Sequence, residues 1–390
     1  MNPTLTLEVP FLDLKAQYRE LAPEINSAVT SVLESAQFVG GAFVENFEQE
    51  FASYIGARYA VGVSSGTSAL ELALKVAGIG PGDEVLVPAN SFFATAEAVS
   101  NVGAKPVFTD VDAASFHLDI NSAERMITSR TRAIIPVHLY GRAMDLTKVA
   151  EFAAAYRLQI IEDAAQAHGS THDGAKVGAA GRLTCFSFYP GKNLGAYGDA
   201  GAVTTNDSDE ARKLRLLRDH GSPAKYEHSV IGTNARLDSI QAAILSVKLG
   251  QLDEWNRLRR EHAAQMASAL ADSTVIPPEI PADGEHVFHL FVVRSPQRNA
   301  LRNYLRANGI GTGIHYPVPL HLTEAYQQLG YPGKGSLPTA EQLAEEILSL
   351  PMYAELTDEQ IEYTIDAVLN FAGPIPDTLQ PASIIHASAT

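Results

Sequence analysis

The chain has 390 residues, of which 46% are hydrophobic, so it can bury a large core, and its length indicates two or three domains. A formal net charge of −16 argues against a nucleic-acid partner, because binding to a phosphate backbone depends on basic patches. No apolar run is long enough to span a membrane, and the first residues lack the basic region of a signal peptide. Cys185 is the single cysteine, which excludes an intrachain disulfide and favours a cytoplasmic location.

The first informative segment follows a predicted strand that begins at Tyr59 and runs into Ser-Ser-Gly-Thr-Ser over residues 64–68. A strongly helical segment comes next. Hydroxyl groups and free N–H groups at the start of a helix form a phosphate site. An ordinary N-cap at Ser65 or Thr67 is the alternative, although a cap needs only one hydroxyl. Neither the dinucleotide fingerprint nor the P-loop pattern is present, so the turn suits a single phosphate.

From about residue 56 to residue 205, short apolar strands alternate with helical stretches. This alternation predicts an α/β domain with a mostly parallel sheet. The other clear strand patterns are Glu84–Pro88, Lys105–Asp110, Arg132–His138 and Leu158–Ile161.

Asp163 follows the apolar run Leu158–Ile161, where a buried strand is expected to end. Ligands of open α/β sheets bind outside the carboxyl ends of the strands. A carboxylate there could pair with the protonated nitrogen of a pyridine ring. The alternative is that Asp163 caps a helix beginning at Ala164.

Lys192 stands on a predicted tight turn, directly after Pro190-Gly191 and shortly before several glycines. A lysine presented in this way can form a Schiff base with a carbonyl compound, which is the entry to pyridoxal phosphate chemistry. A solvated surface lysine is the alternative. Taken together, Lys192 and Asp163 favour the chemical interpretation for both.

The C-terminal part has a different pattern, typical of a smaller α+β domain. One long helix is predicted over Leu237–Arg260 and links the two domains. We expect a large domain over residues 1–250, a small domain over residues 251–372, and a flexible tail over residues 373–390. The predicted elements of the small domain are a strand over His286–Arg294 and helices over Gln297–Asn308, Thr339–Leu350 and Thr357–Leu369.

Five ordered motifs together resemble the DegT/DnrJ/EryC1/StrS sugar aminotransferases, from Val9 to about Phe371. The resemblance implies pyridoxal-phosphate-dependent transferase fold type I, with pyridoxal 5'-phosphate as cofactor and no metal. The motifs are Ser65-Gly-Thr-Ser-Ala, Pro88-Ala-Asn-Ser-Phe-Phe-Ala-Thr, Glu162-Asp-Ala-Ala-Gln-Ala-His-Gly, Ser187-Phe-Tyr-Pro-Gly-Lys and Gly232-Thr-Asn-Ala-Arg-Leu-Asp-Ser-Ile-Gln-Ala-Ala.

The resemblance also implies roles for single residues. Lys192 would carry the Schiff base and move the proton, while Asp163 would pair with the ring nitrogen. Gln166 would contact the 3-oxygen of the ring, or else be a polar residue on a helix surface. Phe92 would stack on the ring, or else be a core aromatic. The residues matched to the phosphate are Gly66, Thr67, Ser68, Ser187 and, from the second subunit of a homodimer with shared active sites, Asn234.

The implied reaction moves an amine from an amino acid, with glutamate expected, to C3 of a nucleotide-linked keto sugar. The sugar is expected to be a dTDP-linked 3-keto-6-deoxyhexose. Because both substrates would use one site in turn, we expect ping-pong kinetics. The residues expected to contact the sugar are His168, Tyr189, Arg236, His315 and Tyr316.

The choice of C3 depends on Tyr189-Pro-Gly-Lys192, on Gln166 and His168, and on the segment from His315 to His321, although Thr323-Glu324 stands where the family pattern commonly has a proline. The alternatives within the family are a C4 aminotransferase and an enzyme acting on a keto-uronic acid sugar or a keto-cyclitol. A non-catalytic binding or regulatory protein is an alternative of another class. It would not need both Lys192 and Asp163.

Overall fold

The structure is a computed structural model that describes residues 7–180, 183–281 and 284–371. The tail predicted over residues 373–390 therefore lies outside the described residues. Within the described ranges, no helix is long and apolar enough to cross a bilayer. The same ranges hold no group of three or more His, Cys, Asp or Glu side chains that could bind a metal ion.

Helices and strands alternate between residues 42 and 163, and runs of strands and then of helices follow. The strands are β1 (Tyr59–Val63), β2 (Glu84–Pro88), β3 (Lys105–Thr109), β4 (Thr131–Ile134), β5 (Gln159–Asp163), β6 (Thr171–His172), β7 (Ala175–Lys176), β8 (Leu183–Ser187), β9 (Gly201–Thr205), β10 (Phe291–Arg294) and β11 (Ile347–Leu350). The α-helices are α1 (Leu14–Ser35), α2 (Ala42–Ile55), α3 (Gly66–Val76), α4 (Phe93–Asn101), α5 (Ile120–Arg125), α6 (Leu146–Tyr156), α7 (Ser208–Arg218), α8 (Ser239–Leu249), α9 (Leu252–Leu270), α10 (Arg298–Ala307), α11 (Glu324–Gln327), α12 (Pro338–Glu346) and α13 (Asp358–Leu369).

A seven-stranded sheet in the order β1-β9-β8-β5-β4-β2-β3 forms the centre of the larger part. The neighbours from β8 to β3 pair in parallel, and β9 is antiparallel to both β8 and β1. The predicted α/β fold with a mostly parallel sheet is confirmed.

The central strands are apolar because both faces of the sheet are covered. Every residue of β2 is buried. Val85 and Val87 pack into one hydrophobic cluster, whereas Leu86 packs into another. Since successive side chains of a strand point to opposite faces, β2 is buried on both sides, as its nearly continuous apolar run requires.

A second hydrophobic core lies in the C-terminal part, around the antiparallel pair β10–β11. Leu301 of α10, Ile361 of α13 and Met266 of α9 belong to this core. Strand and helices share it, in agreement with an α+β arrangement. The domain boundary placed at residue 250 stays a prediction.

Two predicted helices were wrong. The segment over Leu237–Arg260 is not one helix: α8 ends at Leu249, α9 begins at Leu252, and the break falls at Gly250, a poor helix former. The segment over Thr339–Leu350 is helical only to Glu346. Its last four residues are fully buried as β11, because pairing with β10 overrides the helical pattern.

Candidate active site

Strands β5 and β8 end beside a cavity of about 510 Å³, a volume typical of small-molecule sites. Asp163 and Ser187, the last residues of these strands, both line it. The cavity therefore lies at the edge of the sheet where open α/β folds bind ligands. Ten of the residues predicted for the site line this cavity: Gly66, Thr67, Phe92, Asp163, Gln166, Ser187, Tyr189, Lys192, His315 and Tyr316.

Lys192 projects from the tight turn that leaves β8. Its N–H donates to the carbonyl of Tyr189 at 2.8 Å. A Cβ on Gly195 would lie 2.3 Å from the carbonyl oxygen of Pro190, so this turn can close only with glycine there. Burial lowers the pKa of the Lys192 ammonium to about 8, and the charge of Asp163 opposes that shift. The amine can thus be neutral, and nucleophilic, at mildly alkaline pH.

Asp163 is buried at the end of β5 and is held by two donors. Its Oδ2 accepts from the hydroxyl of Thr95 at 2.8 Å, and its Oδ1 accepts from the N–H of Ala165 at 3.1 Å. Residues 164–170 form turns instead of a helix. The alternative that Asp163 caps a helix was therefore wrong, and the carboxylate faces the cavity.

The first turn of α3 forms a cradle against the end of β8. Ser65 is the N-cap, and its hydroxyl accepts from the N–H of Ser68 at 3.1 Å. A Cβ on Gly66 would lie 2.6 Å from the Cβ of Ser187, so only glycine allows this close approach. Gly66 and Thr67 line the cavity, and the N–H groups of a first helical turn have no helical acceptor. Together with the helix dipole, they suit an anion.

Gln166 and the aromatic residues around it form another wall of the cavity. The Oε1 of Gln166 accepts from the N–H of Tyr140 at 2.6 Å, and its Nε2 donates to the hydroxyl of Tyr316 at 3.2 Å. The ring of Phe92 is half exposed and lies 5.4 Å from the ring of Tyr316. Burial and the charge of Lys192 lower the pKa of His315 to about 4, so its imidazole is neutral near pH 7.

The structure does not bring His168 to the cavity. Its ring is fully buried and packs against Phe186 and Phe188, with centroids 5.7 and 5.6 Å away. Burial also lowers the pKa of His168 to about 3. The predicted contact between His168 and the sugar was therefore wrong, because a side chain inside the core cannot reach a ligand.

Three other predicted site residues lie outside the cavity of their own chain. The hydroxyl of Ser68 bonds to those of Ser64 and Ser65 at 2.9 and 3.0 Å, which supports the turn. Arg236 forms an ion pair of 2.6 Å with Asp219. Asn234 is exposed on the surface.

The sequence analysis missed several residues that line or support the cavity. The Ser91–Thr95 pair, with hydroxyl oxygens 2.7 Å apart, was detectable from the helical i, i+4 spacing in a recognised motif. His289 and Phe11 also line the cavity. No local pattern marks them, because the fold brings them to Lys192 from distant parts of the chain.

Comparison with known proteins decides the family. Residues 19–369 match the profile of the DegT/DnrJ/EryC1/StrS aminotransferase family. The chain belongs to this family. It is therefore an enzyme of the aminotransferase class.

Two curated relatives illustrate the range of names in this aminotransferase family. The dTDP-3-amino-3,4,6-trideoxy-alpha-D-glucose transaminase of Streptomyces venezuelae is 48% identical over 94% of this chain and 97% of its own length. The pleiotropic regulatory protein of Geobacillus stearothermophilus is 46% identical over 94% of this chain and 99% of its own length.

Solved structures of aminotransferases show the same fold. S. venezuelae DesV, in complex with a ketimine intermediate, superposes with a TM-score of 0.92 at 48% identity, over 95% of this chain and all (100%) of that one. NtdA of Bacillus subtilis, with bound PMP, superposes with a TM-score of 0.87 at 31% identity, over 94% of this chain and 85% of that one. The predicted fold type is confirmed.

The side chains of the cavity fit pyridoxal phosphate, the cofactor expected for this aminotransferase. The first turn of α3 offers N–H groups to a phosphate, the carboxylate of Asp163 can accept from a ring N–H, and Lys192 is an amine of lowered pKa. The amide of Gln166 supplies a donor for a ring oxygen. All of these groups border one cavity.

Proposed function

We propose that this enzyme transfers an amine from an amino acid, with glutamate as the expected donor, to C3 of a dTDP-linked 3-keto-6-deoxyhexose. The observation that carries the proposal is that one cavity joins Lys192 and Asp163 to His315 and Tyr316. The high similarity to the S. venezuelae transaminase, whose name specifies a 3-amino sugar, supports C3. No observation favours the C4, uronic acid or cyclitol alternatives.

Each of the lining residues has a definite task in this proposal. Pyridoxal phosphate, when bound, supplies an electron sink for the amine transfer. Lys192 would hold the cofactor through its Nζ, and the same amine would hold the proton that moves at the substrate carbon. Asp163 would accept from the ring nitrogen, and Gly66, Thr67 and Ser187 would bind the phosphate. Phe92 would cover the ring, and Gln166 would donate to its oxygen.

Tyr189, His315 and Tyr316 are the residues we assign to the sugar. Tyr189 is 59% exposed at the rim, where a bulky nucleotide sugar can reach it. The Nδ1 of His315 bonds to the hydroxyl of Ser349 at 2.8 Å, which fixes the ring orientation. Because the amino-acid donor is small, we expect its reaction not to need these three residues.

A homodimer with shared sites is part of the proposal. Asn234 and Arg236 lie outside the cavity of their own chain, where they could complete the site of a partner. The nearby apolar side chains of Tyr226 and Ile231 are 85% and 98% exposed, which is typical of a surface that another subunit covers. The cytoplasmic location stays a prediction.

A substrate panel tests the proposed reaction. The enzyme, loaded with pyridoxal phosphate and glutamate, is given dTDP-linked 3-keto and 4-keto hexoses, and the products are identified by mass spectrometry and NMR. We expect a new amine at C3 of the 3-keto sugar. Amination of 4-keto sugars alone would refute C3, and no amination of any keto sugar would refute a sugar substrate.

A further inference from the structure

Tyr140 lies beside the cavity, in the short 3-10 turn Leu139–Gly141, and has no role in the proposed mechanism. Its backbone φ is 60°, in the left-handed region that bulky residues rarely adopt. The next residue, Gly141, has no room for a side chain, since a Cβ would lie 2.9 Å from the N of His289 and 3.0 Å from the O of Gln166. Such a conformation persists only where the surrounding structure requires it.

Both polar groups of Tyr140 donate to residues of the candidate site. Its hydroxyl donates to the carbonyl oxygen of His315 at 2.5 Å, and its N–H donates to Oε1 of Gln166 at 2.6 Å. The Nε2 of Gln166 donates in turn to the hydroxyl of Tyr316 at 3.2 Å. Because His315 and Tyr316 are neighbours in the chain, these bonds form a closed ring of hydrogen bonds, which we call the Tyr140 ring.

The Tyr140 hydroxyl can act only as a donor in this ring. Its side chain is 3% exposed, and Phe116 packs edge-on against it at 5.2 Å. Burial raises the pKa of Tyr140, so the phenol keeps its proton throughout the working pH range. Among the described residues, the carbonyl of His315 has no other hydrogen-bond donor.

We propose that Tyr140 is a positioning residue for the keto sugar: it fixes the His315–Tyr316 peptide and orients the amide of Gln166. This inference rests on the proposed function, in which His315 and Tyr316 face the sugar while Gln166 faces the cofactor. The Tyr140 ring keeps the two sets of contacts in register, so the sugar carbonyl meets the amine at the correct place. The half-reaction with the amino acid does not use His315 and Tyr316.

Tyr140→Phe removes one hydroxyl and leaves the N–H bond to Gln166 in place. Tyr331→Phe is the matched control, because the Tyr331 hydroxyl also donates to a backbone carbonyl, that of Pro106 at 2.6 Å, outside the cavity lining. The two half-reactions are followed separately by the absorbance of the bound cofactor. In Tyr140→Phe we expect kcat/KM for the keto sugar to fall about tenfold. The glutamate half-reaction, and both half-reactions of Tyr331→Phe, should stay within about twofold of the unchanged enzyme.

Tyr316→Phe opens the same ring at its other side, so the two single variants and the double variant together test whether the ring acts as a unit. If the ring acts as a unit, the double variant should be no worse than the more damaged single variant. The role of Tyr140 is overturned if the losses of the two single variants multiply in the double variant. It is also overturned if Tyr140→Phe damages both half-reactions equally or leaves the sugar half-reaction unaffected.

Calorimetric binding of a dTDP-hexose to the cofactor-free protein separates this inference from the proposed function. We expect the unchanged protein to bind the ligand and Tyr140→Phe to bind it several-fold more weakly. If the unchanged protein neither binds nor aminates nucleotide sugars, the proposed function fails, and the role of Tyr140 with it. If the unchanged protein uses them and Tyr140→Phe matches it in binding and in kcat/KM, only the role of Tyr140 fails.

Discussion

Lys192 can attack a carbonyl carbon only in its neutral form, so its pKa decides when it can capture the cofactor. Burial lowers this pKa to about 8. The rate at which the cofactor-free enzyme captures pyridoxal phosphate should therefore rise about tenfold per pH unit below pH 8 and level off above it. Stopped-flow absorbance between pH 6 and 10 measures the profile, and borohydride reduction with peptide mapping identifies the residue.

The sign of this effect can be checked with Asp163, whose charge raises the pKa of Lys192. In Asp163→Asn the midpoint of the capture profile should move to lower pH, because the ammonium loses its stabilising neighbour. A profile that keeps rising to pH 10, as for a solvated lysine, would contradict the buried environment. If borohydride fixes the cofactor to a lysine other than Lys192, the assignment of the Schiff base to Lys192 is contradicted.

Asp163→Asn should also lower turnover at saturating cofactor by about a hundredfold or more, since a buried charge that stabilises a ring N–H is lost. Asp110→Asn is the matched control. Asp110 follows β3 at the same edge of the sheet and accepts from the N–H groups of Thr339 and Ala340, but it does not line the cavity. Near-normal turnover of Asp163→Asn, or equal loss in both variants, would show that the carboxylate only supports the fold.

Most of the predicted residues that line the cavity lie near the end of a strand or the start of a helix. Asp163 ends β5 and Lys192 stands on the turn after β8, so local chemistry marked them, and their roles stay predictions. His168 lies in the same motif as Asp163, yet it faces the core, because the chain turns after Ala164 and forms no helix. Tyr140 was missed since its partners lie 26 and 175 residues away.

At the scale of elements, helices α8 and α9 hold the loop that carries Lys192. Three side chains of these helices reach alternate residues of the loop. Lys248 donates to the carbonyl of Gly195 at 2.6 Å. Gln241 accepts from the N–H of Tyr197 at 2.8 Å, and Asn256 accepts from the side chain of Asn193 at 2.8 Å.

Lys248→Met tests this support, because it removes the donor and keeps most of the volume. Lys248 is fully buried, burial lowers its pKa to about 8, and its ammonium lies 4.4 Å from the ring centre of Tyr197. Capture of pyridoxal phosphate by Lys192 should slow about tenfold, since the Gly195 carbonyl is left unpaired and the loop loosens. The affinity for pyridoxamine phosphate, which needs no bond to Lys192, should stay within about twofold. The stopped-flow and equilibrium titrations give the two values.

The exposed Lys148 of α6 provides the control, and Lys148→Met should change neither value. If Lys248→Met lowers the melting temperature but leaves the capture rate unchanged, Lys248 stabilises the fold without positioning Lys192. An equal loss of affinity for both cofactor forms would likewise exclude a specific effect on the loop.

The predicted elements were accurate where burial left a clear local pattern and wrong where a distant pairing partner decided the structure. The bounds of β2 were predicted correctly at Glu84–Pro88, since burial on both faces leaves a clear apolar run. The strand β11 was mistaken for the end of a helix, because its partner β10 lies more than fifty residues earlier. The break between α8 and α9 had a signal in Gly250.

At the scale of the whole molecule, the proposed dimer explains why Asn234 and Arg236 lie outside their own cavity. Each chain would supply Lys192 to its own site and Asn234 to the site of its partner. In a symmetric dimer, mixing inactive Lys192→Ala with inactive Asn234→Ala leaves one intact site in every mixed dimer. Subunit exchange at equal concentrations should therefore restore about a quarter of the unchanged activity, as half of the dimers are mixed.

This recovery distinguishes shared sites from separate ones, because a site built from one chain would stay inactive in every mixture. Native mass spectrometry of differently tagged subunits confirms that mixed dimers have formed. As a control, mixing Lys192→Ala with Asp163→Asn should restore nothing, since Asp163 and Lys192 line the same cavity of one chain. If exchange is complete and the first mixture still shows no activity, Asn234 acts within its own chain, and the dimer does not share its sites.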